Sequence, residues 1–302
     1  MEQVMENEAG VSAPRFEQVR FERPAPKIGR IVLNRPEKKN AQSLQMLYEL
    51  NDAFDLATQD NEISVIILAA EGSDFSSGHD LSGTESKRIS DFRPVSTWGQ
   101  FRAKGLEGYY SREKEIYLEL TERWRNIPKP VIAEVQGRVI AGGLMLVWVA
   151  DLIVASDDAM FLDNTPEMGI NGTEFFNHPY ELGIRKAKEW LFMTEWLSAE
   201  EAKQLGMVNR VVRRSELQSE TLNIGIRVAE KPLFTLKAIK ESINNAQDLM
   251  GRPANNKFTF ALHHLLHSHA RQLTGFPVLA NQLTPKIQEH IRVQTERMRQ
   301  NK

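Results

Sequence analysis

Between Ala141 and Asp151 the chain reads Ala-Gly-Gly-Leu-Met-Leu-Val-Trp-Val-Ala-Asp, a charge-free run opened by a glycine pair and closed by one aspartate. Such a run fits a short helix buried on every side, so the rest of the chain has to wrap around it. The first turn of that helix would aim unpaired backbone N–H groups at whatever precedes Gly142. Gly142 and Gly143 let a ligand oxygen come close to the main chain. An earlier stretch, Phe75-Ser76-Ser77-Gly78-His79-Asp80-Leu81, also follows an apolar strand, and the peptide from Gly78 to His79 offers a second N–H of the same kind. Two such donors on one oxygen would make an oxyanion hole. Taken singly, a glycine pair before a buried helix is as well explained by close packing. The pairing of the two segments is the informative signal.

With 302 residues and 41% hydrophobic content, the chain can bury a large core. No apolar run is long enough to cross a bilayer. The N-terminus, Met1-Glu2-Gln3-Val4-Met5-Glu6-Asn7, lacks the basic-then-apolar order of a secretion signal, so a cytoplasmic location without membrane attachment is expected. Zero cysteines exclude disulfides, thiol nucleophiles and thiolate metal sites. Thirty-eight Lys and Arg against 40 Asp and Glu leave a net charge of −2, no footprint for nucleic acid. Any phosphate has to be held by local basic residues.

Residues 1–14 are polar and patternless and read as a disordered tail. Phe16 to Glu22 alternates like a strand, and Gly29 to Asn34 reads as its hairpin partner. Ser43 is placed to cap a helix through about Thr58, and Ser64 to Ala69 is a buried strand. The order strand, strand, helix, strand points to an α/β fold with parallel pairing. Leu81 to Ser111 is polar and glycine-dotted, with aromatics at Phe92, Trp98, Phe101, Tyr109 and Tyr110; a pocket lid and an aromatic-anchored surface excursion fit equally. Arg112 to Asn126 reads as a helix stopped by Pro128 and Pro130. Strands follow at Val131–Val135, Leu152–Ser156 and Ala159–Leu162. Ser198-Ala199-Glu200-Glu201 forms a capping box, and Val208 to Val212 is the last strand. Beyond Arg213 the pattern is helical: Glu216–Glu230, Leu233–Ala246, Pro253–Ser268 and a charged stretch from Thr284.

These segments together resemble the crotonase, or enoyl-CoA hydratase/isomerase, superfamily. The resemblance rests on the two glycine segments, on Asn34-Arg35-Pro36 followed by Asn40-Ala41, on Lys129-Pro130-Val131-Ile132-Ala133 with Gly137, and on Leu197 through Val212. It implies a spiral of repeated ββα turns over residues 15–212 and a helical region over 213–302 that carries contacts of a homotrimer or a dimer of trimers. It also implies an acyl-CoA thioester partner, coenzyme A arriving with the substrate and no separate cofactor. By that resemblance the backbone donors fall at His79 and Gly142. Gly78, Asp80, Leu81 and Gly143 would surround the bound thioester, and Lys38 and Lys39 would approach the CoA phosphates, although solvated surface lysines explain the last pair at least as well.

The resemblance also locates where a hydratase of this family carries two proton-moving glutamates. Counting from Gly142 gives Met145, read as acyl-pocket lining, and counting from Phe161 gives Thr165. A two-residue shift would match Glu167 instead. Substitute acids and bases nearby are Asp163, Glu174 and His178, with Glu174 and His178 one helical turn apart and able to act together. For each, a capping or solvated side chain is the simpler reading. Hydration of a 2-enoyl-CoA is the leading expectation. Isomerisation, decarboxylation or hydrolysis through the same enolate, and a catalytically silent acyl-CoA-binding subunit, are the rivals.

His263, His264, His267 and His269 hold four of the seven histidines, and His263 with His267 has the spacing of a helical metal pair. The sequence offers no third ligand, so no metal is expected and a packed or polar helix face is the simpler reading.

Overall fold

The computed structural model describes residues 16–82, 87–279 and Pro285. The tail expected up to residue 14 and nearly all of the charged stretch from Thr284 lie outside these. Among the described residues nine strands form two sheets. The larger has the order β1 (Val19–Ala25), β2 (Ile28–Leu33), β3 (Val65–Ala70), β4 (Val131–Val135), β6 (Leu152–Ser156) and β9 (Arg210–Val212). The smaller holds β5 (Arg138–Ile140), β7 (Met160–Leu162) and β8 (Leu197–Ser198). Only the β1–β2 hairpin and the β7–β8 pair run antiparallel. The fold is α/β, and the chain visits the sheets in turn: β4 then β5 before helix α4 (Gly142–Trp148), and β6 then β7 in the next turn. That alternation is the spiral of ββα turns.

Side chains of the large sheet alternate between two apolar layers, as a strand period of two requires. Ile31, Leu33, Ile66, Leu68, Ala133 and Ile153 face a core shared with α1 (Leu44–Gln59), α4 and the segment α3 (Leu120–Arg125). Ile28, Val32, Ile67, Ile132 and Val154 face α8 (Leu217–Ala229), which supplies Leu217 and Ala229. A parallel sheet covered on both faces reads as the near-continuous apolar strands seen in the sequence.

The caps form as their residues dictate. Ser43 Oγ accepts from Met46 N at 3.1 Å, and Ser198 and Glu201 exchange both capping-box hydrogen bonds before α7 (Ala199–Gln204). Some boundaries differ from the sequence expectation. The first strand starts at Val19, not Phe16, because one Glu49 carboxylate oxygen accepts from the N–H groups of Glu17, Gln18 and Val19 at 2.7–3.1 Å and so replaces ladder partners. The helix expected at Arg112 starts earlier, as α2 (Leu106–Glu113), and widens into a π-helical stretch over Lys114–Glu119 before α3. The segment before it is pinned: Glu115 accepts from Val95 N, Ser96 N and Tyr48 Oη, and Phe92 stacks on Tyr48 at 4.5 Å. Short helices α5 (His178–Leu182) and α6 (Ile184–Met193) follow β7, and α9 (Leu233–Leu249) and α10 (Arg252–Thr274) close the helical region. Among the described residues no helix is long and apolar enough to cross a membrane.

Candidate active site

Three backbone segments meet at the front end of α4. Gln42 bridges the turn at His79: Gln42 N donates to Gly78 O at 2.8 Å and Asp80 N donates to Gln42 O at 3.0 Å. Ser76 pairs with Val139 beside β5, its N–H donating to Arg138 O and its carbonyl accepting from Ile140 N. The Asn-Arg-Pro…Asn-Ala segment is the brace. Asn40 Nδ2 donates to the carbonyls of Glu71 and Asp74, Ser77 N donates to Lys39 O, and Ser76 Oγ donates to Asn40 O. This motif acts on the loop's shape first, while the Lys38 and Lys39 side chains are exposed.

The geometry demands glycine on both sides. Gly78 has φ +87°, and a Cβ there would lie 2.8 Å from Ile140 O and 3.2 Å from Gly142 N. A Cβ at Gly142 would lie 2.5 Å from Cε1 of the His79 ring, and one at Gly143 2.8 Å from Ser76 O. Ala141, just before the helix, is held at φ 45° and ψ −112°, a conformation L residues rarely adopt and one that costs on the order of 1–3 kcal/mol. Strain of that size directs the peptide leading into Gly142. Among the described residues neither His79 N–H nor Gly142 N–H donates to any group, whereas the neighbouring amides of Asp80, Ala141 and Leu144 all have acceptors.

The His79 ring is fixed from several directions. It stacks on Tyr117 at 3.8 Å, Nδ1 lies 3.1 Å from Gln42 Oε1, and Nε2 lies 3.1 Å from Glu174 Oε2. Gln42 Nε2 donates to Gly142 O at 2.7 Å, which orients the amide and leaves Oε1 for the histidine. Both ring nitrogens therefore face oxygens, and only a doubly protonated ring could donate to both at once. Glu174 is buried, with its other oxygen 3.4 Å from His263 Nε2. Burial alone would push its carboxyl up, but His79 and His263 hold it well below the usual carboxylate range.

The expected partnership of Glu174 with His178 does not form. His178 turns the other way, its Nε2 2.7 Å from Asp163 Oδ2, and its ring packs against Trp148, Phe176 and Trp190. Asp163 also accepts from Thr165 N, Thr165 Oγ1 and Thr173 N at 2.6–3.1 Å. Burial would raise its carboxyl, yet His178 and Thr165 hold it below the usual aspartate range. The pairing is lost because Asn177 opens α5 and the chain at 163–178 folds back on itself, so the one-turn spacing never becomes helix. Thr165, where counting from Phe161 put the second glutamate, spends its hydroxyl on Asp163. Met145 is buried in the core beside Leu144 and Leu146. Glu167 is exposed in a 3₁₀ turn, Leu81 is exposed, and Asp80 is engaged with Arg35 at 3.0 Å and Ser82 N.

Gln42, Tyr117 and Glu113 were not singled out from the sequence. Glu113 had a signal: with Ile116, Leu120 and Trp124 it falls at helical spacing on the apolar face. It is buried, and burial with the nearby Glu174 carboxylate pushes it up to about 7, opposed by His263. The expectation that His263 and His267 lack a third ligand is corrected, because Glu113 brings a carboxylate to both.

A family model described as enoyl-CoA hydratase/isomerase matches residues 25–290. EchA13 of Mycobacterium tuberculosis, whose name marks it as an unproven enoyl-CoA hydratase, is 41% identical over 266 residues, covering 86% of this chain and 84% of that one. The 4-chlorobenzoyl coenzyme A dehalogenase-2 of an Arthrobacter species is 31% identical, covering 72% and 74%. A Mycobacterium smegmatis crystal structure described as a probable enoyl-CoA hydratase superposes with a TM-score of 0.78 at 44% identity, covering 86% of this chain and 99% of that one.

Proposed function

Because the chain belongs to the enoyl-CoA hydratase/isomerase family, we propose that it binds an acyl-CoA thioester and stabilises its enolate with the His79 and Gly142 N–H groups. The observation that carries this is the pair of unpartnered amides on adjoining segments, each beside a glycine whose Cβ would collide with the other segment. Donors held in place cost no reorganisation when negative charge develops on the thioester oxygen.

The proton-moving pair in this reading is Glu174 with His79, the ionisable groups next to those amides. They stand in for the glutamates that Met145 and Thr165 replace. Glu174 takes the α-proton or returns it, and the His79 imidazole, fixed by Gln42, passes it on. Addition of water to a 2-enoyl-CoA is the reaction favoured. A different enolate reaction is the second reading, supported by the replaced glutamates and by a dehalogenase among the relatives. Lys38 and Lys39 are proposed to meet the CoA phosphates. A homotrimer or dimer of trimers, working in the cytoplasm, would cover the exposed Phe234, Ile243 and Met250 of the α9 region.

The test follows α-hydrogen exchange of a saturated acyl-CoA in deuterated buffer together with loss of enoyl absorbance on short and medium 2-enoyl-CoAs. Exchange with hydration supports the leading reading, and exchange alone selects another enolate reaction. Binding of acyl-CoA by calorimetry with neither would leave a silent binding subunit and reject the enzyme.

A further inference from the structure

Behind Glu174, away from the glycine donors, lies a buried cluster that the proposed reaction does not use. His263, His264 and His267 project from α10, and Glu113 reaches them from the end of α2. His263 Nδ1 lies 3.0 Å from Gly172 O, and His267 Nδ1 lies 2.5 Å from Pro277 O. A carbonyl oxygen only accepts, so each Nδ1 carries a hydrogen and each Nε2 is the ring position turned toward a carboxylate, Glu174 for His263 and Glu113 for His267. Imidazoles that bind metals are oriented in this way, with the far N–H tied to a carbonyl or carboxylate.

Two Nε2 positions converge on one carboxylate. Glu113 Oε2 lies 3.6 Å from His267 Nε2 and 3.3 Å from His264 Nε2. One donor atom each from Glu113, His263 and His267 lies within 4.8 Å of the other two. An atom at the centre of that triangle would be within about 2.8 Å of each donor, against about 2.0–2.2 Å in a formed site, a gap of at most about 0.8 Å that side-chain torsions can close. Glu113 Oε2, His263 Nε2 and both nitrogens of His264 are buried without a hydrogen-bond partner among the described residues. Groups of that kind are costly to leave unmet.

Two carboxylates flank the imidazoles: Glu113 Oε2 lies 3.3 Å from His264 and 3.6 Å from His267, and Glu174 Oε1 lies 3.4 Å from His263. A divalent cation among the rings would balance both.

We propose that Glu113, His263 and His267 form a binding site for a first-row divalent transition cation of the zinc class, with His264 the nearest further donor. Two imidazoles with one carboxylate suit zinc, cobalt or nickel and not the oxygen-seeking magnesium or calcium. The cation would join α2 to α10 and sit behind Glu174, whose Oε1 is 3.4 Å from His263 Nε2, so its charge would bear on the pair that faces the glycine donors. The site stands independently of the acyl-CoA reading.

The test uses full-length untagged protein produced in zinc-supplemented medium, desalted and assayed for bound metal by mass spectrometry, with cobalt absorption spectra after exchange. One zinc per chain and a tetrahedral or five-coordinate cobalt spectrum are expected. Glu113→Gln and His267→Gln should each reduce zinc to background, while circular dichroism and the melting transition confirm that the variants are folded. His269→Ala, outside the cluster, should leave the stoichiometry unchanged. If either variant fails to fold, the cobalt spectrum of the parent decides, since imidazole ligation has to appear in it. Background metal in the parent, or zinc unaffected by both folded variants, overturns the proposal.

Discussion

Two carboxylate–histidine pairs flank α4, one fully buried and one with a half-buried imidazole, alike in composition and opposite in circumstance. In the pair Asp163–His178 the carboxylate is surrounded by donors, with Thr165 N, Thr165 Oγ1, Thr173 N and the imidazole all on its two oxygens. Among the described residues, the Glu174 carboxylate of the second pair meets only imidazoles, and the backbone N–H of His79 has no acceptor. A carboxylate saturated by fixed donors is held as part of the frame. One that faces titratable rings beside unpaired amides is poised to exchange a proton. The difference lies in the company each acid keeps, and mutation can probe it from both sides.

The largest effect is expected from Glu174→Gln, which keeps size and hydrogen bonding but removes the proposed base. Deuterium exchange into a saturated acyl-CoA should fall by about 10²–10⁴-fold in the folded protein, with some loss of stability as well, because a buried carboxylate between two imidazoles is removed. Exchange at the parental rate would remove Glu174 from the chemistry. Asp163→Asn should spare the chemistry, lowering stability by about 3–5 kcal/mol in denaturant titration while the folded fraction keeps its turnover. The stability profile adds a pH test of Asp163. Burial pushes Asp163 up, but His178 and Thr165 outweigh it and hold the folded value below the ordinary one. Its stabilisation is therefore present in full above the unfolded value of about 4 and is lost as pH falls through the folded value. Asp163→Asn should flatten that acid limb of the stability profile. An equally steep limb in the variant would assign the slope to other carboxylates.

Gly142→Ala tests the amide side. A Cβ at 142 would sit 2.5 Å from a His79 ring carbon, and that ring is braced by Gln42, Glu174 and Tyr117, so it cannot simply swing away. Displacing one donor of an oxyanion site costs about 10²–10³-fold in turnover, measured on whichever thioester the parent accepts. A variant as fast as the parent would show that the gap between His79 and Gly142 is mere packing.

How much of this the chain discloses depends on the range of the interaction. The buried helix, the strand order, the serine cap at Ser43 and the capping box at Ser198 follow from local pattern, because glycine, charge-free runs and cap spacing act within a few residues. The two glycine segments could be paired by their resemblance to a family, and the fold brings them together. What local pattern could not give is which side chains meet across the chain. Glu174 reaches back 95 residues to His79, and Glu113 forward to His263 and His267 on α10. Glu174 and His178 looked like partners through spacing, yet the segment between Asp163 and His178 is a run of turns, where spacing says nothing about facing.

The smallest effect bears on Thr165, the position where the family count expects an acid. Its hydroxyl donates to Asp163 Oδ1 at 2.6 Å, and its N–H donates to the same oxygen at 3.0 Å. In Thr165→Val the backbone bond stays and only the hydroxyl bond to a charged acceptor is lost, partly offset by a buried methyl, so a loss of about 1–2 kcal/mol in stability is expected. Exchange of the α-hydrogen should be unaffected. The same contact explains why a glutamate at 165 would not restore the missing acid: it would place a second carboxylate against Asp163, and two like charges at hydrogen-bond distance cannot both ionise. A Thr165→Val variant that lost exchange activity with its stability intact would move the chemistry from Glu174 to the Asp163 side of α4, and would reverse the roles assigned to the two pairs.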